Sequence, residues 1–155
     1  MSISNTLLNT MRVHVERAYP NEGCGILLGH GHDVQGIYVC DNTADEPRHM
    51  QYRISPTALA HAAHMAKAQG MSVIGYYHSH PDLPSSFSTE DATYAVKGML
   101  YIVASVCMGV MGDTSIYRNG RCIGERLLKA EQTPTTYTNK SSVSTVCSVQ
   151  PKELS

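Results

Sequence analysis

The sequence predicts a single α/β domain in which helices cover a central mixed sheet. Three observations predict it. Short apolar runs recur at residues 25–29, 71–77 and 100–106, with the length of buried strands. Segments with helical spacing or helix-start signals lie between them, at residues 4–18, 55–69 and 88–97. At 155 residues the chain is long enough to bury one core. Strands interleaved with two or three helices pack as layers on one sheet.

Residues 4–18 carry Leu7, Leu8, Met11 and Val15 at helical spacing, and Pro20, Asn21 and Gly23 end that element. The run at 25–29 reads as a buried strand, residues 29–33 turn, and residues 34–40 return as a hairpin partner. A polar loop at 41–48 leads to a short strand at 51–54. Ser55-Pro56 starts a helix, Ser as cap and Pro in the first turn, and it stops after Gln69 at Gly70. Its stripe of Leu59, Ala62, Ala63 and Ala66 is mostly small and suits close packing on a sheet. The apolar strand at 71–77 then runs into His78. A loop at 81–87 precedes a short helix from Ser88 to about Lys97, ended by Gly98. Residues 100–106 form another strand, and residues 114–117 and 122–128 a last hairpin turning at Asn119-Gly120. Beyond Lys129, Ser and Thr crowd in with Pro134 and Pro151, and apolar periodicity disappears. The domain is therefore read as residues 1–128, with residues 129–155 a weakly ordered tail.

Composition narrows the function. Apolar residues at 42% and charged residues at 16% fit a soluble globular protein. A net charge of -1 gives no broad basic field, which speaks against nucleic acid or an anionic membrane as partner. No apolar stretch is long enough to span a bilayer, and residues 1–9 lack the pattern of a secretory signal. Five cysteines, Cys24, Cys40, Cys107, Cys122 and Cys147, form an odd set without close pairing. Free thiols in a reducing cytoplasm fit that set better than a disulfide framework.

Residues 78–91 carry the chemistry. His78 and His80 stand two apart at the end of the apolar strand, so both imidazoles project from one face. Ser88 and Asp91 open the following helix, and a strand-to-helix turn can bring Asp91 back over the histidines. Two His nitrogens and one Asp oxygen make a three-ligand zinc site, which leaves a fourth position for water. Each part has a plainer reading: Ser88-x-x-Asp91 as a helix cap, and the histidines as inert polar groups. One metal accounts for all of them together. His30 and His32 share the spacing but lie in a Gly-rich turn; His61 and His64 share a helix face without a third ligand; His14 and His49 have no context. An acidified water needs a base, and Glu22, just before the strand at residues 25–29, leads over Glu90, Asp82 and Glu125.

These residues resemble the JAMM (MPN-type) zinc metalloproteases. The signature is a distant Glu, then His-Ser/Thr-His-Pro, six residues, Ser, two residues, Asp. Here it is Glu22, His78-Ser79-His80-Pro81, Ser88 and Asp91. Residues 22–29, Tyr52-Arg53-Ile54-Ser55-Pro56 and residues 73–78 are similar to further segments of small prokaryotic members, so the resemblance covers about residues 5–128. It implies a cytidine-deaminase-like α/β/α fold with Zn2+ on His78, His80 and Asp91. It implies Glu22 as general base then acid, and Ser88 as donor to the developing oxyanion. It implies cleavage after the C-terminal Gly-Gly of a ubiquitin-like or sulfur-carrier protein. Eukaryotic deubiquitinases carry insertions that grip ubiquitin, and residues 40–55 and 106–114 leave no room for them. Cys24, two residues from the base, reads as a small buried apolar residue before it reads as a redox or metal group. The rival readings are a non-catalytic MPN scaffold, which typically lacks signature ligands present here, and a zinc peptidase with another substrate. The oligomeric state stays open, a homodimer included.

Overall fold

The computed structural model describes residues 1–127; the tail expected at residues 129–155 lies outside them. The elements are β1 (Ser2–Ile3), α1 (Asn5–Ala18), β2 (Cys24–His30), β3 (Asp33–Cys40), α2 (Pro56–Ala68), β4 (Ser72–Pro81), α3 (Thr89–Tyr94), β5 (Leu100–Cys107), β6 (Val110–Arg118) and β7 (Arg121–Leu127). All the strands join one sheet in the order β1-β3-β2-β4-β5-β6-β7. The β4–β5 and β1–β3 pairs are parallel and the others antiparallel, so the sheet is mixed, as expected.

The period-two alternation of β2 and β4 sorts the core into two layers. On one face Leu8, Met11 and Val15 of α1 pack with Leu27, Tyr77, Ile102 and Ala104. On the other, Ala62 and Ala66 of α2 pack with Cys24, Ile26, Leu28 and Cys40. Helices thus cover both faces, which gives the α/β/α arrangement. Gly25 is required where β2 crosses Tyr77, because a Cβ there would sit 2.3 Å from the Tyr77 ring.

Several expectations are corrected. Residues 51–54 form no strand. Their polar backbone is taken up by Thr43, whose amide donates to the Arg53 carbonyl at 2.9 Å, and by the Asn42 side chain, so no ladder forms. Of the α2 stripe, Ala62 and Ala66 are buried, whereas Ala63 is exposed and Leu59 faces a cavity. Helix α3 ends at Tyr94, short of Lys97. No residue of it is fully buried, and the Val96 amide donates to the Tyr101 hydroxyl at 2.7 Å instead of continuing the helix. Strand β6 starts at Val110 because Met108 and Gly109 both take positive φ, 49° and 81°, and form the tight turn of a hairpin with β5. Cys24, Cys40 and Cys122 are free thiols. Among the described residues, no helix is long and apolar enough to cross a membrane.

Candidate metal centre

Strand β4 runs four residues past the apolar run at 71–77, through Pro81, because it keeps pairing with β5 as far as Val106. That extension carries His78 and His80 on the α2 side of the sheet, both buried. The β4–α3 connection is pinned from below. Asp82 accepts from the Met108 amide and the Tyr19 hydroxyl, each at 2.9 Å, and Ser105 donates to the Leu83 carbonyl at 2.8 Å. The connection then delivers the first turn of α3 over the two imidazoles.

Ser88 caps α3, its Oγ accepting from the Asp91 amide at 3.0 Å while the Ser88 amide and hydroxyl donate to Asp91 Oδ2 at 2.8 and 2.6 Å. This capping box fixes the Asp91 carboxylate. Asp91 Oδ1 lies 3.0 Å from His78 Nε2, Asp91 Oδ2 lies 3.4 Å from His80 Nε2, and the two Nε2 atoms are 3.1 Å apart. A tetrahedral zinc with bonds of about 2.0–2.1 Å separates its ligand atoms by about 3.3 Å, so the trio fits that ion. The trio is the His/Cys/Asp/Glu group of metal-holding spacing found among the described residues.

Burial would lower the His80 pKa, but the contacts with Asp91, the Pro84 carbonyl and Glu22 outweigh it and raise it. The Pro84 carbonyl lies 2.9 Å from His80 Nδ1, which fixes the proton on Nδ1 and leaves the Nε2 lone pair toward the trio. Burial lowers the His78 pKa against the pull of Asp91, favouring a neutral ligand. Burial alone would raise the Asp91 carboxyl, but the His78, His80 and Ser88 contacts outweigh it and hold the group ionised.

Glu22 precedes β2 on a segment clipped to β4, and it is only 5% exposed. Burial pushes its carboxyl up to about 8, against the pull of His80. Glu22, His80, Ser88 and Asp91 line one cavity of about 670 Å³. Of the rival bases, Glu90 lines the same cavity but is exposed, Asp82 serves its loop, and the Glu125 side chain lies outside the described residues. The decoy histidines stay apart: His14 Nδ1 contacts the Tyr77 hydroxyl at 2.9 Å, His61 Nδ1 the Tyr38 hydroxyl at 2.8 Å, and His30, His32, His49 and His64 are exposed. Burial pushes the Cys24 thiol up to about 12, so it is held protonated as a small apolar group.

Sequence reasoning missed two residues. Asn42 donates to the Glu22 carbonyl at 3.1 Å and the Gln51 carbonyl at 3.0 Å, and its Oδ1 accepts from the amides of Ala44 and Arg53, each at 3.1 Å. Tyr52, in the segment Asn42 holds, stacks on His78. An Asn early in a polar loop, where side-chain-to-backbone bonding is common, was the available signal for the first.

A mixed sheet with a helix on each face and a His-x-His/Asp trio at the end of its central strand defines a JAB1/MPN-type domain. The chain belongs to the family of prokaryotic homologues of the JAB domain, whose model matches residues 4–119. It is 31% identical over 97 residues to a probable TtuB-protein conjugate cleaving protease of Thermus thermophilus, covering 63% of this chain and 64% of the relative. It is 31% identical over 91 residues to a desampylase of Haloferax volcanii, covering 56% of this chain and 63% of the relative. The match thus spans just under two thirds of the length of both relatives. The crystal structure of a JAB1/MPN domain protein from Archaeoglobus fulgidus shares the fold, with a TM-score of 0.51 over 80% of this chain and 95% of that one at 21% identity.

Proposed function

We propose that this chain is a zinc metallopeptidase that hydrolyses the amide bond after the C-terminal Gly-Gly of a ubiquitin-like or sulfur-carrier protein. One observation carries the reading: a single cavity is lined by the His80 and Asp91 members of the trio and by the buried Glu22, whose carboxyl burial raises to about 8. His78, His80 and Asp91 would hold the ion. A bound zinc supplies Lewis acidity and brings the pKa of a water toward neutrality. Glu22 takes the proton of the attacking water and returns it to the leaving nitrogen, a task suited to a carboxyl poised near operating pH. The Ser88 hydroxyl turns its hydrogen from Asp91 Oδ2 to the substrate carbonyl oxygen as charge develops there.

The names of the two relatives support the substrate class, since one is named for cleaving protein conjugates and the other as a desampylase. The cavity extends from the trio past Leu59, Tyr76, Leu83, Tyr94 and Val96, a largely apolar wall for an extended tail. A tail ending in Gly-Gly lets its backbone approach the ligands without a Cβ in the way.

The test is incubation of the zinc-loaded protein with small carrier proteins extended beyond Gly-Gly, read by intact mass. We expect loss of the extension, leaving Gly-Gly at the new terminus, and no loss when a chelator is present. Intact substrates, or cleavage indifferent to the chelator, would overturn the proposal.

A further inference from the structure

The two histidines of the trio are oriented by different means. A metal-ligating imidazole is usually fixed by a hydrogen bond from its second ring nitrogen. His80 follows that pattern through Pro84. His78 does not: its Nδ1 is buried and has no hydrogen-bond partner among the described residues. The last side-chain torsion of histidine is broad and roughly two-fold, and a half-turn would exchange Nδ1 with Cδ2 and Nε2 with Cε1, taking Nε2 away from the trio. Something other than a hydrogen bond has to resist that turn.

We propose that Tyr52 is a positioning residue for the metal, its ring stacked on His78 so that Nε2 stays aimed at the ion. The proposal rests on reading His78, His80 and Asp91 as the ligands. The Tyr52 and His78 rings lie 4.5 Å apart, centroid to centroid, and are inclined by 21°. The His80 ring flanks His78 at 5.0 Å and 53°. A flat face against the imidazole restricts its tilt, and the second ring limits its swing.

Tyr52 can do this only if it is itself fixed, and its backbone is held on both sides by one side chain. Asn42 donates to the carbonyl of Gln51 at 3.0 Å and accepts from the amide of Arg53 at 3.1 Å. The Asn42 side-chain nitrogen also donates to the Glu22 carbonyl at 3.1 Å. One asparagine therefore sets the stacking ring and the proposed base from a common point. Were Tyr52 only part of the apolar cavity wall, it would affect substrate affinity and leave metal affinity alone.

That difference is the test. Zinc affinity is measured by competition with a chromophoric chelator, and ligand geometry by the absorption bands of the Co2+-loaded protein. Tyr52→Leu is expected to weaken zinc by about tenfold or more, as loss of a partner to a metal ligand does, and to shift the Co2+ bands. Tyr52→Phe keeps the ring and is expected to bind within about twofold of wild type. Tyr52→Leu binding as tightly as wild type, or Tyr52→Phe falling as far as Tyr52→Leu, overturns the proposal. Should Tyr52→Leu fail to fold, the metal-free wild type answers by NMR. The His78 ring protons are expected upfield, under the Tyr52 ring current, and unshifted protons overturn the stack. A wild type that takes up no zinc removes the metal reading itself, whereas equal affinities remove Tyr52 alone.

Discussion

Gly23 and Ser79 are joined twice: the Gly23 amide donates to Ser79 Oγ at 2.9 Å, and the Ser79 amide donates to the Gly23 carbonyl at 3.0 Å. Ser79 lies between the two histidines of the trio, and Gly23 follows the proposed base. The clip therefore fixes the distance between Glu22 and the ligands, using a side chain that points away from both imidazoles.

Ser79→Ala leaves a buried Gly23 amide without its acceptor. The expected cost is about 1–3 kcal/mol of stability, read as a lower urea midpoint. Zinc content should be kept while turnover falls, because the histidines stay on β4 and Glu22 loosens. A midpoint equal to that of wild type would show that the clip does not hold the segment.

Glu22→Gln keeps the shape of the side chain and removes its proton chemistry. It is expected to retain zinc and to lose about 10²–10⁴-fold in turnover, the usual contribution of a positioned acid–base group. The check is intact-mass assay of cleavage beside elemental analysis of the same sample. Turnover within about tenfold of wild type would remove Glu22 from the mechanism.

The parts of this site that were legible in the sequence are those set by local geometry. Period two along a strand puts His78 and His80 on one face, and a cap followed three residues later by a carboxylate places Asp91 over them. Helices α1 and α2 were legible from their stripes and from Ser55-Pro56. Asn42 and Tyr52 were not, because their roles exist only where chain-distant segments meet: Asn42 reaches back to Glu22, and Tyr52 reaches forward to His78. The same reason accounts for residues 51–54. Their β-like composition suggested a strand, but they are met by the Asn42 side chain and one Thr43 amide, not by a strand edge. Helix α3 came out shorter than its sequence suggested because its exposed turns have no core to hold them beyond Tyr94.

Glu22 also gives the metal-free protein a stability that depends on pH. Its carboxyl is raised from 4.5 to about 8 by burial, so between those values the folded state keeps a proton that the unfolded chain has released. Stability from this group is full below the lower value and is lost as pH rises through the upper one. Relative to Glu22→Gln, the metal-free wild type should therefore weaken as pH rises between those two values, by a few kcal/mol at most, at about 1.4 kcal/mol per pH unit. Chemical denaturation of both proteins at each pH measures the difference, and the other titrating groups cancel in it. A constant gap between the two curves would show that Glu22 ionises normally.

Asn42 joins the two halves of the site, so its loss should be felt in both. Asn42→Ala strips a donor from the Glu22 and Gln51 carbonyls and an acceptor from the Ala44 and Arg53 amides. The side chain is only half-buried, so water can replace some of these bonds. The expected loss of stability is accordingly about 1–3 kcal/mol and not the sum of four bonds. Asn42→Asp is expected to be no milder, because it keeps the acceptor but sets a carboxylate against two carbonyls that need donors. The functional effect should persist when zinc is saturating, since refilling the metal restores neither the Glu22 backbone nor the segment carrying Tyr52. Turnover measured across a zinc titration separates the cases. A variant that recovers wild-type turnover once its metal is full would show that Asn42 supports the ligands alone and has no hold on Glu22.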